Sequence, residues 1–227
     1  MKQKFTILFD LDGTLVDTAP DLMLAHNHVM KKFGYPTKST EDIRNLVGKG
    51  AGALIGRSIW GQAKKEFSKA LDAKIKDEMV KEFVNFYGKN IVNESTLVAG
   101  VKDFLIWCKE QSISMAVCTN KQEHLSNDLL KKIGIYDFFE YVAGSDTFDY
   151  CKPDPRHLTN VVEILDGDVK KTIMIGDSET DANAAKAAEI PVILLENGYT
   201  EKNTTEIYHN HLIKDFIGIE KIISKYL

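Results

Sequence analysis

A short apolar run, Phe5-Thr6-Ile7-Leu8-Phe9, leads directly into the segment DLDGTLVDT, Asp10 to Thr18. No other stretch constrains the fold as strongly. The run reads as a buried strand. Strand side chains alternate between faces, so Asp10 and Asp12 leave it on the same side, and the chain turns at Gly13. Two same-side carboxylates ending a hydrophobic strand are electrostatically costly unless a cation sits between them. That arrangement suits a metal-assisted carboxylate nucleophile with a second carboxylate beside it. Taken alone, the segment also fits a strand followed by a solvated acidic turn.

Three later segments decide between these readings. Residues 113–120 (ISMAVCTN) are apolar and end in Thr119 and Asn120, small polar residues able to donate hydrogen bonds to a phosphate. Cys151-Lys152-Pro153-Asp154-Pro155 sets one lysine before a proline that restricts its backbone. Residues 171–178 (KTIMIGDS) form another apolar run ending in Gly176-Asp177, and Asp181 follows four positions later. Along the chain this gives Asp-x-Asp, then Thr, then Lys, then Gly-Asp-x-x-x-Asp. In that order and spacing the chain resembles the haloacid dehalogenase-like hydrolase superfamily, over roughly residues 5–216.

Strand patterns at 5–9, 114–119, 141–144, 172–176 and 192–195, with 212–214 as a possible edge, alternate with helical patterns at 101–111, 125–133, 157–165 and 181–188. This alternation predicts an α/β fold, a doubly wound parallel sheet with a Rossmann-like core. Ligands of such sheets collect outside the carboxyl ends of the strands. Asp10, Thr119 and Asp177 each stand where a strand pattern stops. Between the first two strands, residues 17–94 carry helical spacing only: Leu22, Met23, His26, Val29, Met30 and Phe33, then Ile75, Met79, Phe83 and Phe86. So long an insertion predicts a helical subdomain, giving residues 1–16 and 95–227 as the core and 17–94 as an inserted cap. Gly34-Tyr35-Pro36 and Gly48-Lys49-Gly50-Ala51-Gly52 interrupt its helices.

The resemblance carries further expectations. The insertion would close over the site from hinges at 16–18 and 95–100, with residues 47–52 facing substrate. Asp10 is the expected nucleophile. Asp12 is expected to protonate the leaving group and then activate water. Asp10, Asp177 and the backbone carbonyl of Asp12 would hold Mg²⁺, with Asp181 behind them; hard oxygen donors suit that ion. Lys152 would neutralise charge, while Thr119 and the amides of Asn120 and Gly13 would bind phosphate oxygens. The pattern Gly48-Lys49-Gly50-Ala51, followed by Leu54 and Arg57, looks like that of phosphoglycolate phosphatases. Lys49 and Arg57 are therefore expected at the substrate's far end, although Arg57 fits a cap carboxylate equally well. Phosphatases of sugar phosphates, pyrophosphate or nucleotides, and a phosphoglucomutase-type phosphotransferase, share such a core. Asp12 argues against a dehalogenase, and the complete acid set argues against a non-catalytic scaffold.

The net charge of −4 argues against a general nucleic-acid binder. No apolar stretch is long enough to span a membrane, and Asp10 interrupts the one candidate signal segment. A cytoplasmic monomer or homodimer acting on a small phosphorylated metabolite is expected. Other residues read as structural. Cys108 and Cys118 fit buried apolar positions, and Cys151 adjoins Lys152, a cation that can lower a thiol pKa. Asp17 and Thr18 are expected to cap the first helix, while Ser178 fits a place beside the metal site and a cap of the following helix equally well. His26 and His28 cannot share a helix face, and His209 and His211 lie beyond the motifs. Lys64-Lys65-Glu66 and the mixed charges at 72–81 read as solvated helix faces.

Overall fold

Side-chain alternation along the first strand sets up two cores. In the computed structural model, which describes residues 4–60 and 69–227, β1 (Thr6–Phe9) is wholly buried. Ile7 and Phe9 enter one apolar cluster and Leu8 enters another. Next come the two-residue strand β2 (Val16–Asp17) and the helices α1 (Ala19–Phe33), α2 (Thr40–Arg44), α3 (Ala51–Trp60) and α4 (Lys69–Lys89). The chain then continues through β3 (Thr96–Leu97), α5 (Val101–Glu110), β4 (Ser114–Cys118), α6 (Glu123–Ile133), β5 (Tyr141–Ala143) and α7 (Arg156–Ile164). It finishes with β6 (Thr172–Gly176), α8 (Glu179–Ala187), β7 (Val192–Leu195), β8 (His211–Ile213) and α9 (Glu220–Ile223). The Lys64-Lys65-Glu66 stretch lies outside the described residues.

Six strands form one parallel sheet in the order β5-β4-β1-β6-β7-β8. Phe9 meets Phe104 and Phe139 edge-on on one face, at ring-centre distances of 6.2 and 5.8 Å. Leu105 and Leu129 of α5 and α6 fill the same cluster. On the other face Leu8 packs with Leu158, Val161 and Ala185 of α7 and α8. Helices therefore cover both faces, as a parallel sheet requires. The 212–214 expectation is met by β8, one residue earlier.

Among the described residues of 19–89, helices are the only regular elements, and their amphipathic faces explain why. In α1 the buried positions Leu22, Ala25, His26, Val29 and Met30 recur at helical spacing, and the helix stops at Gly34 in the left-handed conformation. That face packs on α4. His26 bonds Ser58 at 2.8 Å, and His28 pairs with Glu82 while stacking on Phe86. Neither His26 nor His28 has a metal-like setting.

The ends of the helical stretch are tied together by features too short to show in sequence. Val16 and Asp17 pair antiparallel with Leu97 and Thr96. One turn into α1, the buried Asp21 carboxylate accepts the amides of Asn93, Glu94 and Ser95 and, at 2.6 Å, the Ser95 hydroxyl. A single acid thus satisfies three backbone donors where the chain returns to the sheet.

Candidate active site

From β1 the sheet grows outward through β4 and β5 on one side and through β6, β7 and β8 on the other, so its order reverses between β1 and β6. Crevices form at such switch points. The Asp10 amide donates to Ile175 O at 2.9 Å, carrying the ladder one residue past β1 and placing Asp10 beside the end of β6. Asp177 follows β6 directly. Thr119 follows β4, its amide held by Ala143 O at 2.9 Å.

Three buried carboxylates converge there. One oxygen from each of Asp10, Asp177 and Asp181 lies within 4.8 Å of the others. Lys152 is the cation among them, with Nζ 2.9 Å from Asp10 Oδ1 and 2.5 Å from Asp181 Oδ1. Burial disfavours the charged lysine, but Asp10 and Asp181 outweigh it and hold its pKa above the usual value. One lysine does not balance three acids. Burial pushes Asp10 up to about 6 despite Lys152, and burial with Asp10 and Asp181 nearby raises Asp177 well above the carboxylate range. Although Lys152 is near, Asp10 Oδ1 is buried without a well-formed hydrogen bond. An under-neutralised group of hard oxygens with a spare acceptor fits a divalent cation such as Mg²⁺.

Asp181 is the most heavily bonded of the three. Its Oδ2 accepts the amides of Asp177 and Ser178 and the Ser178 hydroxyl, while Oδ1 accepts Lys152. It therefore fixes the β6–α8 turn as well as the lysine. Ser178 stands at the start of α8, in the capping position that was one of its two expected places.

Asp12 occupies a separate pocket of donors. Thr18 Oγ1 donates to Asp12 Oδ1 at 2.7 Å, and Lys121 Nζ lies 2.7 Å from both carboxylate oxygens. This corrects the expected capping role of Thr18. Thr18 precedes α1 but makes no side-chain cap bond. Asp17 pairs with Arg44 at 2.7 Å and accepts the Tyr199 hydroxyl at 2.5 Å. Thr18 turns from the helix to Asp12, whereas Asp17, held by Arg44 and Tyr199, still meets the amide of Ala19 at the start of α1.

The Gly13 amide donates to Val16 O at 2.8 Å, closing the turn after β1. Gly13 is needed for another reason. Its φ is +84°, and a Cβ there would fall 2.1 Å from Asp177 Oδ2. Only glycine permits this approach.

A cavity of about 280 Å³ opens over the strand ends. Asp10, Asp12, Thr119, Asn120, Lys121 and the 47–54 segment line it. Asn120 Nδ2 reaches Gly48 O and Lys152 O at 3.1 and 2.9 Å, joining the glycine-rich loop to the lysine turn. Lys49 lines the cavity from an exposed position. Arg57 does not line it: its guanidinium donates to Leu46 O and Asn45 O and pairs with Glu201. It pairs with an acid, but that acid lies after β7 and not in the 17–94 insertion where the pairing was expected.

Sequence reasoning missed Lys121 and Tyr199. Lys121 directly follows Thr119-Asn120, so its position was a signal. Tyr199 follows β7 without a motif. The one available hint was Gly198, where a Cβ would strike Asp177 O. Cys151 also lines the cavity, and burial raises its thiol pKa more than Lys152 lowers it, in keeping with a passive thiol. Burial likewise pushes the Cys118 thiol up to about 12. His209 and His211 bond Ile207 O and Tyr226, respectively.

Among the described residues, no helix is long and apolar enough to cross a membrane. A family model described as "Haloacid dehalogenase-like hydrolase" matches residues 7–195. The phosphoglycolate phosphatase of Mesorhizobium japonicum is 37% identical over 210 residues, covering 92% of this chain and 90% of the relative. That of Caulobacter vibrioides is 38% identical over 216 residues, covering 95% and 89%. A crystal structure described as a predicted phosphoglycolate phosphatase from Haemophilus somnus is similar with a TM-score of 0.89 at 31% identity, covering 98% of this chain and 99% of that one.

Proposed function

The chain belongs to the haloacid dehalogenase-like hydrolase family and is a phosphatase, and we propose that it hydrolyses short phosphomonoesters, phosphoglycolate foremost, through an aspartyl phosphate. The observation that carries this reading is the meeting of Asp10, Asp177 and Lys152, from three distant segments, at one sheet edge beside a cavity that Asp12 and Thr119 also line.

In the first step an Asp10 carboxylate oxygen attacks phosphorus. The ester P–O bond breaks with its electron pair on the leaving oxygen, which takes a proton from Asp12. In the second step Asp12 accepts a proton from water as the water oxygen attacks the aspartyl phosphate. Inorganic phosphate leaves and the Asp10 carboxylate returns. Thr18 and Lys121 orient Asp12 for both transfers. Lys152 offsets negative charge on Asp10 and on the phosphoryl group, and Thr119 with the Asn120 amide positions phosphoryl oxygens. Asp10, Asp177 and the Asp12 carbonyl would hold Mg²⁺, supported by Asp181; when bound, the ion offsets repulsion between an anionic nucleophile and an anionic substrate.

Residues 17–94 act in this reading as a cap, hinged where β2 pairs with β3. The cavity favours a small leaving group, since about 280 Å³ falls at or below the common range of roughly 300–1,000 Å³ for ligand pockets. A phosphate-release assay tests the reading with phosphoglycolate, sugar phosphates, pyrophosphate and nucleotides, each with Mg²⁺ and with chelator. Phosphoglycolate is expected to lead, with activity lost in chelator. Full activity in metal-free enzyme, or preference for a nucleotide, would overturn it.

A further inference from the structure

Lys49 and Lys121 both line the cavity, but only Lys121 is buried, at 9% exposure. Its ammonium sits against both oxygens of Asp12 and 4.6 Å from the centre of the Tyr87 ring. An ammonium has three N–H donors. Two serve Asp12, which leaves one for an incoming acceptor.

Tyr87 adds an independent observation. It reaches the cavity from α4, is 1% exposed, and its hydroxyl is buried with no hydrogen-bond partner. An unpaired buried hydroxyl is costly and marks a position that a ligand can complete. Burial raises its phenol well above the usual range, so it stays a donor. Leu22, Phe83 and Leu125 line the same cavity, and such apolar walls strengthen a charge pairing within it.

The group these two side chains would meet needs acceptors and has no use for donors. A carboxylate is acceptor-only, whereas each alcohol of a sugar also brings a proton needing a home. Beyond its own two proton transfers Asp12 has little acceptor capacity left for them, because Thr18 and Lys121 already bond it at three points. Because Asp12 is the proposed proton donor to the leaving oxygen, the leaving group lies beside it and therefore beside Lys121.

We propose that Lys121 and Tyr87 form an anion subsite that selects phosphate esters of short hydroxycarboxylates by binding the carboxylate of the leaving portion. This inference rests on the phosphatase mechanism above. It assigns substrate discrimination to a core lysine and a helical-insert tyrosine, neither of which is Lys49 or Arg57.

The test compares phosphoglycolate with 2-hydroxyethyl phosphate, in which an alcohol replaces the carboxylate. Wild-type enzyme should prefer phosphoglycolate. Lys121→Met should lower kcat/KM for phosphoglycolate about ten- to a hundredfold more than for the alcohol, the loss of one charge-assisted contact. Tyr87→Phe keeps the ring and removes the hydroxyl, so it should shift the preference in the same direction by a smaller factor. It also keeps the test decisive if Lys121→Met does not fold. Equal losses on both esters, or a wild type indifferent to the carboxylate, would overturn the subsite while leaving the phosphatase reading intact. A wild type that releases phosphate from neither ester, nor from p-nitrophenyl phosphate, would overturn both.

Discussion

The backbone amide of Tyr199 donates to Asp177 Oδ2 at 2.7 Å. The same residue's hydroxyl bonds Asp17 at 2.5 Å and accepts the Ala19 amide at 2.9 Å. Arg44 of α2 pairs with Asp17 and lies 5.5 Å from the Tyr199 ring centre. One residue after β7, through its amide and its hydroxyl, thus links a carboxylate of the buried cluster to the first turn of the helical stretch. Tyr199→Phe would keep the amide bond to Asp177 and remove only the hydroxyl. The Ala19 amide would then keep only the Asp17 carboxylate as acceptor, and Asp17 would lose the hydroxyl it accepts. We expect a stability loss of about 1–3 kcal/mol, read as a lower urea midpoint. An unchanged midpoint would show that water takes the hydroxyl's place.

Asp10→Asn should abolish turnover while keeping the fold, because the amide matches the carboxylate in size but is not a nucleophile. It should also change how stability depends on pH. Burial raises the folded pKa of Asp10 from 3.8 to about 6. Below about pH 3 the group is protonated whether the chain is folded or not, and its contribution is fully retained. As pH rises toward 6 the unfolded chain ionises first, so metal-free wild-type protein loses stability, by up to about 3 kcal/mol from this group. The variant should lack that share of the decline. Urea unfolding at about pH 4.5 and pH 7.5 measures it, and parallel slopes for both proteins would contradict the assignment.

The sheet was legible because its signals are local. Each strand of the core is a short apolar run, and each chemical residue stands where the run stops, so Asp10, Thr119 and Asp177 could be placed on one edge from spacing alone. Lys152 was legible as a motif, but its double pairing with Asp10 and Asp181 depends on packing. The β2–β3 pairing is two residues long on each side, too short for any alternation to show. Asp21 looked like an ordinary acid in a first helical turn, and its partners lie more than seventy positions away. Thr18 followed capping rules until Asp12 offered a stronger acceptor. Local rules fail where a distant partner outbids the neighbouring backbone.

Arg57 illustrates the same point and gives a further prediction. Its bonds to Asn45 O and Leu46 O brace the segment that leads into the glycine-rich loop, and its ion pair with Glu201 is largely exposed on the Glu side. Arg57→Ala should therefore lower kcat/KM to a similar extent for phosphoglycolate and for p-nitrophenyl phosphate. The ion pair itself is expected to contribute less than about 1 kcal/mol. A loss confined to phosphoglycolate would instead mean that Arg57 reaches the substrate.

Asp12→Asn separates the two proposed chemical steps. p-Nitrophenolate is a good leaving group and departs without a proton, so Asp10 can still attack the nitrophenyl ester and form the aspartyl phosphate. The second step has no such relief, since water must still lose a proton to something, and an amide cannot take it. The substitution turns one of the two oxygens that Lys121 contacts into a donor, so continued phosphoenzyme formation is also the control that the side chain keeps its place. General-base catalysis of this kind is worth about a hundred- to ten-thousandfold. Rapid mixing should therefore show a burst of one nitrophenolate per enzyme followed by slow turnover, with phosphoenzyme recovered after acid quench. Phosphoglycolate, whose alkoxide leaves only with a proton, should give no burst. A variant that loses both phases equally on the nitrophenyl ester, with no trapped phosphoenzyme, would place Asp12 in the first step alone or outside the proton path.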